Sequence, residues 1–150
     1  MRALIRRVSS AEIKVNLNQV GSIDHGLLVY LGVHKHDVVD DLDWIIKKIL
    51  GLRVFEDEQG KMNLKIQSDQ GILLVSQFTL WGNLKKGFRP SFNQAADPSM
   101  GESFYNLAIE KLKMNFNGMV SSGVFGAEMQ ILAVEEGPVN IWIDSKNRNY

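Results

Sequence analysis

Alternating and clustered apolar residues along the chain predict eight or so strands and two main helices. Residues 2–8 predict a first strand, and the apolar–polar alternation over residues 11–17 predicts a half-buried second strand. Residues 16–21 are rich in turn formers and favour a short hairpin. Residues 26–33 are nearly all apolar, which is typical of a central strand covered on both faces.

Two longer segments have the periodicity of amphipathic helices. Asp37 is expected to cap a helix over residues 38–50. Its apolar face would be formed by Val39, Leu42, Ile45, Ile46 and Ile49. Asp97 and Pro98 form a typical helix start, and that second helix is expected to end near Phe116.

The rest of the pattern completes an α+β fold. Four further strands are expected, over residues 52–55, 71–78, 127–134 and 140–144, and a long loop over residues 81–97. Strands and helices do not alternate regularly, so the sheet should be largely antiparallel with the two main helices packed on it. Residues 1–150 are expected to form a single domain, with a loose polar tail over residues 146–150.

Composition narrows the possible chemistry. The 150 residues are 45% hydrophobic and 23% charged, and they include no cysteine. Disulfides, thiolate metal sites and cysteine nucleophiles are therefore excluded. The formal net charge of +0 argues against a general nucleic-acid coat, although a local basic patch would still suffice for an RNA substrate. The polar N-terminus and the absence of a long apolar run favour the cytoplasm.

The histidines do not predict a metal site. His34 and His36 would share one face of a strand, but a metal needs three or four ligands and no third is obvious nearby. We therefore interpret them as part of a polar loop leading into the first helix, and we expect no metal and no cofactor.

Three other segments could form a functional site, and each also has a plain structural explanation. Ser76, Gln77 and Thr79 follow a buried strand, so they must either line a cavity or find partners at a sheet edge. In a regular strand Gln77 and Thr79 would share one face and Ser76 would take the other.

The second segment is a basic loop, and the third is a turn. Lys85, Lys86 and Arg89 could bind phosphate, or the loop could simply be solvated with its aromatic residues tucked into the core. Gly137 and Pro138 could form an ordinary hairpin turn, with the peptide bond either cis or trans. No histidine base or carboxylate pair accompanies these groups, so the residues by themselves do not define a reaction.

A resemblance to a known family supplies what the pattern does not. Ser76-Gln77-Phe78-Thr79-Leu80 with a downstream Gly137-Pro138-Val139 is similar to the paired signature of the D-aminoacyl-tRNA deacylase family. The similarity runs from Met1 to about Asp144 and includes Arg6-Arg7-Val8-Ser9, Lys61-Met62-Asn63-Leu64, Arg89-Pro90-Ser91-Phe92 and Phe125-Gly126-Ala127-Glu128-Met129-Gln130.

The resemblance implies an esterase that removes D-amino acids, and also glycine, from tRNA as a proofreading step in translation. It implies a homodimer in which a cis Gly137-Pro138 peptide enters the partner's site and rejects L-aminoacyl-tRNA with backbone carbonyls. It does not imply a membrane partner.

The resemblance also assigns roles within the site. Ser76, Gln77, Phe78 and Thr79 would line the ester pocket, with backbone N–H groups near Phe78 and Thr79 stabilising the oxyanion. Substrate contacts would come from Met129, Val139 and Asn140, and tRNA phosphates would be met by Lys85, Lys86, Arg89 and also Arg6 or Arg7. The nucleophile would be either Thr79 or the 2′-hydroxyl of the terminal adenosine; no base to activate Thr79 is evident, which favours the latter.

The chain departs from the family pattern beside the turn. Asn140 stands where the family usually has Thr, Glu135 and Glu136 precede Gly137, and Glu128 replaces the more common Asp. One alternative is therefore an inactive RNA-binding homologue, and a third is a small-molecule binding or structural dimer. Basic residues near Ser76–Leu80 would argue against the third.

Overall fold

A computed structural model describes residues 1–149, and within them a mixed sheet is built around one long strand. The elements in chain order are β1 (Arg2–Val15), β2 (Asn18–Ile23), β3 (Gly26–Gly32), α1 (Val39–Gly51), β4 (Arg53–Glu56), β5 (Met62–Lys65), β6 (Gly71–Ser76), a short 3₁₀ helix (Phe78–Trp81), α2 (Pro98–Asn115), β7 (Met119–Ser122) and β8 (Gln130–Asp144). The predicted single-domain α+β fold with two main helices is confirmed.

The six-stranded sheet has the order β2-β1-β3-β6-β7, with β8 also paired to β1. Strand β1 is antiparallel to β2, β3 and β8, whereas β6 is parallel to both β3 and β7. Parallel neighbours need long crossovers, and here α1 lies between β3 and β6 in the chain and α2 between β6 and β7. These two parallel pairs, strand β7 and the small β4–β5 ribbon were not predicted.

Strand β3 is buried on both faces, as its apolar run predicts. Leu27, Val29 and Leu31 belong to the larger core, which includes the buried faces of α1 and α2. Leu28 points the other way, into a smaller core with residues of β1, β2 and β6. Because successive side chains of a strand alternate, one strand serves two cores and fixes the middle of the molecule.

Several predicted boundaries were wrong. The two strands predicted over 2–8 and 11–17 are one strand, β1, and those predicted over 127–134 and 140–144 are one strand, β8. The two long strands pair with each other along most of their length, with register shifts between Arg6 and Ser10. Irregular pairing of this kind allows polar residues to interrupt the apolar pattern within a continuous strand. The apolar pattern alone therefore predicted two strands in place of each long one.

Asp37 does not cap α1. Val38 is the residue before the helix, and its N–H donates to Asp41 Oδ2 at 3.0 Å. Asp37 is buried instead, accepting from the Met1 ammonium at 2.6 Å and from the His34 N–H at 2.7 Å. By contrast Asp97 does cap α2, since its Oδ1 accepts from the Met100 N–H at 3.0 Å.

The C-terminal segment is docked rather than loose, as far as residue 148. Lys146 Nζ lies 2.6 Å from Asp41 Oδ2, and Arg148 lies 3.5 Å from the other oxygen of that carboxylate. The prediction of a loose tail is therefore wrong for these residues, and Tyr150 lies outside the described residues. Within residues 1–149, neither helix has the length and apolarity that crossing a membrane would need.

Candidate active site

The carboxyl end of β6 opens into a cavity. Strand β6 is buried from Gly71 to Val75 and ends at Ser76, which pairs with Leu31 of β3. The chain then turns into the 3₁₀ helix, so the predicted strand over 71–78 is too long. Gln77 and Thr79 consequently do not share the face of a regular strand.

Long-range contacts explain why the strand stops there. The Trp81 indole N–H donates to the Gly32 carbonyl at 3.0 Å, and Trp81 is buried. The Gln77 N–H donates to the Leu31 carbonyl at 2.8 Å, which anchors the start of the turn to β3. These bonds hold the turn against the end of the neighbouring strand and direct the Phe78 side chain outward, where it is 58% exposed.

The turn leaves one residue that lines the cavity, Phe78, with a free backbone donor. Gln77 Oε1 accepts from Thr79 Oγ1 at 2.7 Å and from the Thr79 N–H at 3.4 Å. The Phe78 N–H, at the first position of the 3₁₀ helix, has no hydrogen-bond partner among the described residues. The first N–H groups of a helix have no partner within the helix, so this donor is available to a ligand.

No base is hydrogen-bonded to Thr79 within residues 1–149. Its hydroxyl donates to a neutral amide oxygen, which does not take up its proton. Thr79 is exposed and does not line the cavity. The arrangement therefore provides a hydrogen-bond donor at Phe78 rather than an activated nucleophile at Thr79.

The cavity itself is largely apolar and has a volume of about 550 Å³. Among the predicted site residues, Ser76, Gln77, Phe78 and Met129 line it. Its other lining residues are Leu31, Val33, Val75, Phe92, Ala95, Ala96, Asp97, Pro98, Gly101, Tyr105, Phe125, Gly126, Ala127 and Ile131. An apolar cleft with a few polar groups at one end is typical of a small-ligand site.

Three lining residues, Phe92, Tyr105 and Phe125, were not predicted as site residues. The Tyr105 hydroxyl contacts the Leu74 and Gly123 carbonyl oxygens at 2.8 and 3.2 Å. Burial raises the pKa of Tyr105 to about 12, so the phenol stays neutral at ordinary pH and supports the cavity wall. No pattern in the neighbouring sequence marks these residues as part of a site, because they approach the end of β6 only in the folded chain.

Gly137 and Pro138 lie elsewhere on the chain. Their peptide bond is cis, Gly137 has φ +119°, and both residues are exposed within β8. Neither lines the cavity of its own chain, and nor do Val139 and Asn140. Asn140 is exposed opposite Arg6 in the β1–β8 ladder.

A buried arginine holds the base of this turn. Arg7 is 5% exposed, and its guanidinium donates to the Glu136 carbonyl at 3.3 Å and to the Val54 carbonyl at 2.7 Å. The expectation that Arg7 meets tRNA phosphates is therefore wrong. A signal was present, because Arg7 follows Ala3 and Ile5 on the inward-facing positions of β1.

Side-chain pairs surround the same turn. His25 Nε2 lies 2.9 Å from Glu136 Oε2, and Arg6 is paired with Glu135. Glu135 and Glu136, which depart from the family pattern, are thus each paired with a basic side chain of this chain.

The basic residues lie on a hairpin next to the cavity. Asn83 and Ser91 exchange backbone hydrogen bonds of 2.9 and 3.0 Å and close a loop that contains Lys85, Lys86 and Arg89. All three cations are exposed, and none takes part in an ion pair among residues 1–149. The described residues contain no cluster of three or more histidines and carboxylates that could hold a metal.

The amino-acid sequence of this chain is similar to those of known proteins. A family model described as D-Tyr-tRNA(Tyr) deacylase matches residues 4–144. A D-aminoacyl-tRNA deacylase of Kosmotoga olearia is 47% identical over 149 residues, which are 99% of each chain. One of Thermosipho melanesiensis is 44% identical over 147 residues, covering 97% of this chain and 98% of the relative.

Solved structures show the same architecture. The c-Myc DNA Unwinding Element Binding Protein superposes with a TM-score of 0.90 at 39% identity, over 96% of this chain and 98% of that one. A probable eukaryotic D-amino acid tRNA deacylase superposes with a TM-score of 0.80 over 95% and 97% of the two chains. At 17% identity this second likeness concerns the fold alone.

Proposed function

The chain belongs to the D-Tyr-tRNA(Tyr) deacylase family, and we propose that it hydrolyses the ester between a D-amino acid and tRNA at the cavity beside Phe78. It is thus a hydrolase, a D-aminoacyl-tRNA deacylase. The observation that supports this site most directly is that Phe78 lines the apolar cavity and that its N–H has no partner among the described residues.

The chemistry needs little from side chains. Water attacks the ester carbonyl carbon, the carbonyl oxygen becomes an oxyanion, and the bond to the ribose oxygen breaks as that oxygen takes a proton. The products are a free D-amino acid and tRNA. A backbone donor at the oxyanion stabilises charge that develops only in the transition state, and removing one such donor typically costs about 10²–10³ in kcat.

The 2′-hydroxyl of the terminal adenosine assists the attack in this proposal, and Thr79 does not act as nucleophile. The Thr79 hydroxyl donates to Gln77 Oε1, and no carboxylate or histidine is among its hydrogen-bond partners. Gln77 and Thr79 instead fix the turn that presents the Phe78 N–H. Ser76 and Met129 contact the substrate from the cavity wall.

Selection against L-amino acids falls to Gly137 and Pro138 of a partner subunit. Both residues are exposed and lie outside the cavity of their own chain, so they are free to enter another copy's site. The backbone carbonyls of this turn would contact the substrate amino group and leave no room for an L side chain. Glycine has no side chain to reject, so glycyl-tRNA is a substrate as well. Val139 and Asn140 orient the turn.

A homodimer follows from this arrangement. Strand β8 exposes Leu132, Val134 and Trp142, which are 51%, 59% and 42% exposed. Large apolar side chains displayed along one strand are typical of a surface that a partner covers.

Binding of tRNA is assigned to Lys85, Lys86 and Arg89 on the hairpin beside the cavity, in the cytoplasm where translation takes place. Each phosphate contact releases counterions, so a Lys85→Gln change should lower the salt dependence of tRNA binding by about one counterion. Lys61→Gln, at an exposed turn before β5, is the matched control and should leave that slope unchanged.

Hydrolysis of matched D-tyrosyl-tRNA and L-tyrosyl-tRNA by the purified protein tests the proposal. Rapid loss of the D ester with the L ester spared is the expected result. Salt-dependent tRNA binding with neither ester lost would overturn it in favour of an inactive RNA-binding homologue, an alternative that rests on Asn140 alone.

A further inference from the structure

The hairpin closed by Asn83 and Ser91 exposes a complete aromatic side chain at its tip. Phe88 is 104% exposed, so its ring contributes nothing to either core. The hairpin is nevertheless ordered by its own bonds, including the Lys85 N–H to Asn83 Oδ1 at 2.8 Å. The Gly87 N–H donates to the Leu84 carbonyl at 3.2 Å, and Gly87 has φ +112°, a conformation that favours glycine.

The residues around Phe88 define the kind of ligand that this tip fits. Lys85, Lys86 and Arg89 flank the ring and have no anionic partner among the described residues. A flat aromatic surface between unpaired cations matches a ligand that alternates flat bases with phosphates. Single-stranded nucleic acid is bound in this way, by stacking on aromatic rings and by backbone contacts to basic side chains.

The tip is also within reach of the substrate. Phe92 follows the hairpin, lines the cavity and packs edge-to-face against Phe78 with ring centroids 5.1 Å apart. The four residues from Phe92 to Phe88 span at most about 14 Å when fully extended. A ligand whose end occupies the cavity would therefore pass the hairpin within the length of a few nucleotides.

We infer that Phe88 stacks on an unpaired base of the tRNA acceptor end, next to the aminoacylated adenosine, while Lys85 and Lys86 hold the flanking phosphates. This inference rests on the proposed function and adds a contact that recognises the single-stranded end rather than the ester. It gives the enzyme a way to prefer aminoacylated tRNA over small D-amino acid esters.

Comparing kinetics on two substrates, one with the tRNA and one without it, distinguishes an effect on this stacking contact from an effect on ester hydrolysis. Phe88→Ala should raise KM for D-tyrosyl-tRNA about tenfold with kcat unchanged, because the variant loses the aromatic face on which a base stacks. The same variant should hydrolyse the D-tyrosyl ester of adenosine as well as the unsubstituted protein does. Phe88→Trp keeps an aromatic face and should retain the low KM, whereas Phe88→Leu keeps only apolar volume and should behave like Phe88→Ala.

Binding of uncharged tRNA, measured by filter retention, keeps the test independent of activity. A tenfold weaker Kd for Phe88→Ala supports the inference even if the protein hydrolyses no ester, an outcome that would overturn the proposed function alone. An unchanged Kd and KM, or an equal loss on tRNA and on the adenosine ester, would overturn the stacking contact. A weaker dimer by sedimentation, with tRNA binding intact, would assign the tip to self-association instead.

Discussion

Thr79 Oγ1 lies 2.7 Å from Gln77 Oε1, so this hydroxyl is engaged with an amide and not with a base. If the Phe78 N–H stabilises the oxyanion, the side chain of Thr79 is dispensable for the chemical step. We expect Thr79→Ala to retain kcat on D-tyrosyl-tRNA within about tenfold, since it loses a hydrogen bond worth about 1 kcal/mol. A loss of about 10⁴ or more would show that Thr79 is the nucleophile.

Phe78→Pro tests the backbone donor directly. Proline is tolerated at the first position of a helix but has no N–H, so the substitution removes the donor with little change to the turn. Phe78→Ala is the matched control, because it removes the ring and keeps the N–H. We expect kcat of the proline variant to be about 10²–10³ below that of the alanine variant. Equal kcat values would contradict the assigned role of the Phe78 N–H.

Gly137→Ala should impair the discrimination between D and L substrates. A Cβ at Gly137 would lie 2.8 Å from Val139 Cγ2 and 3.0 Å from the Val139 nitrogen, at a φ of +119° that other residues rarely adopt. The turn must then shift, and under the proposed selection its carbonyls would move away from the substrate amino group. We expect the ratio of kcat/KM for D-tyrosyl-tRNA over L-tyrosyl-tRNA to fall at least about tenfold.

Gly60→Ala is the control for that experiment. Gly60 also has a positive φ, +72°, but nothing lies within 4 Å of its missing Cβ, and it belongs to the turn before β5. Gly60→Ala likewise places an alanine at a positive φ, but in a different turn, and should leave the D-to-L ratio unchanged. An unchanged ratio in Gly137→Ala as well would remove the turn from the mechanism of selection.

Asn140→Thr restores the residue that the family usually has. Asn140 is exposed on β8 opposite Arg6, and under the proposed function its side chain orients the turn and does not react. We expect kcat/KM for D-tyrosyl-tRNA to change by less than about tenfold, which is under about 1.4 kcal/mol in transition-state stabilisation. A hundredfold gain would show that a hydroxyl is needed at this position.

The sequence predicts those parts of the fold that local chemistry determines. Strand β3 follows from its apolar run, and α2 begins directly after Asp97 because that side chain caps the helix. Asp37 looks like an equally good cap, yet it is taken by the Met1 ammonium, 36 residues away in the chain. Local propensity does not reveal a competing partner that only the fold brings close.

The candidate site also combines features that the local sequence predicts with features that depend on long-range contacts. The polar cluster from Ser76 to Thr79 stands out in the sequence, but the turn that shapes it depends on Trp81 reaching Gly32. Tyr105 joins the cavity because its hydroxyl contacts the Leu74 carbonyl of β6, and no sequence motif predicts that contact. The roles of Gly137 and Pro138 follow from family resemblance, since the structure of one chain keeps them outside its own cavity.

Docking of the C-terminal segment should make stability depend on pH in acid. Burial of Asp41 by itself raises its pKa, but hydrogen bonds from Lys146 and from the Val38 N–H outweigh burial and lower the pKa from 3.8 to about 2. A carboxyl group whose pKa is lower in the folded state stabilises the fold fully above the unfolded pKa of 3.8. That stabilisation, about 2 kcal/mol, is lost as the pH falls toward 2.

Lys146→Met removes the strongest partner of Asp41 without changing the carboxyl group. We expect the free energy of unfolding, measured by urea titration between pH 5 and pH 2, to fall less steeply with pH in this variant. Lys113→Met, on the exposed last turn of α2, is the control and should keep the original slope. Parallel pH profiles for all three proteins would show that the contact of Lys146 with Asp41, 2.6 Å in the folded chain, does not hold the Asp41 pKa down.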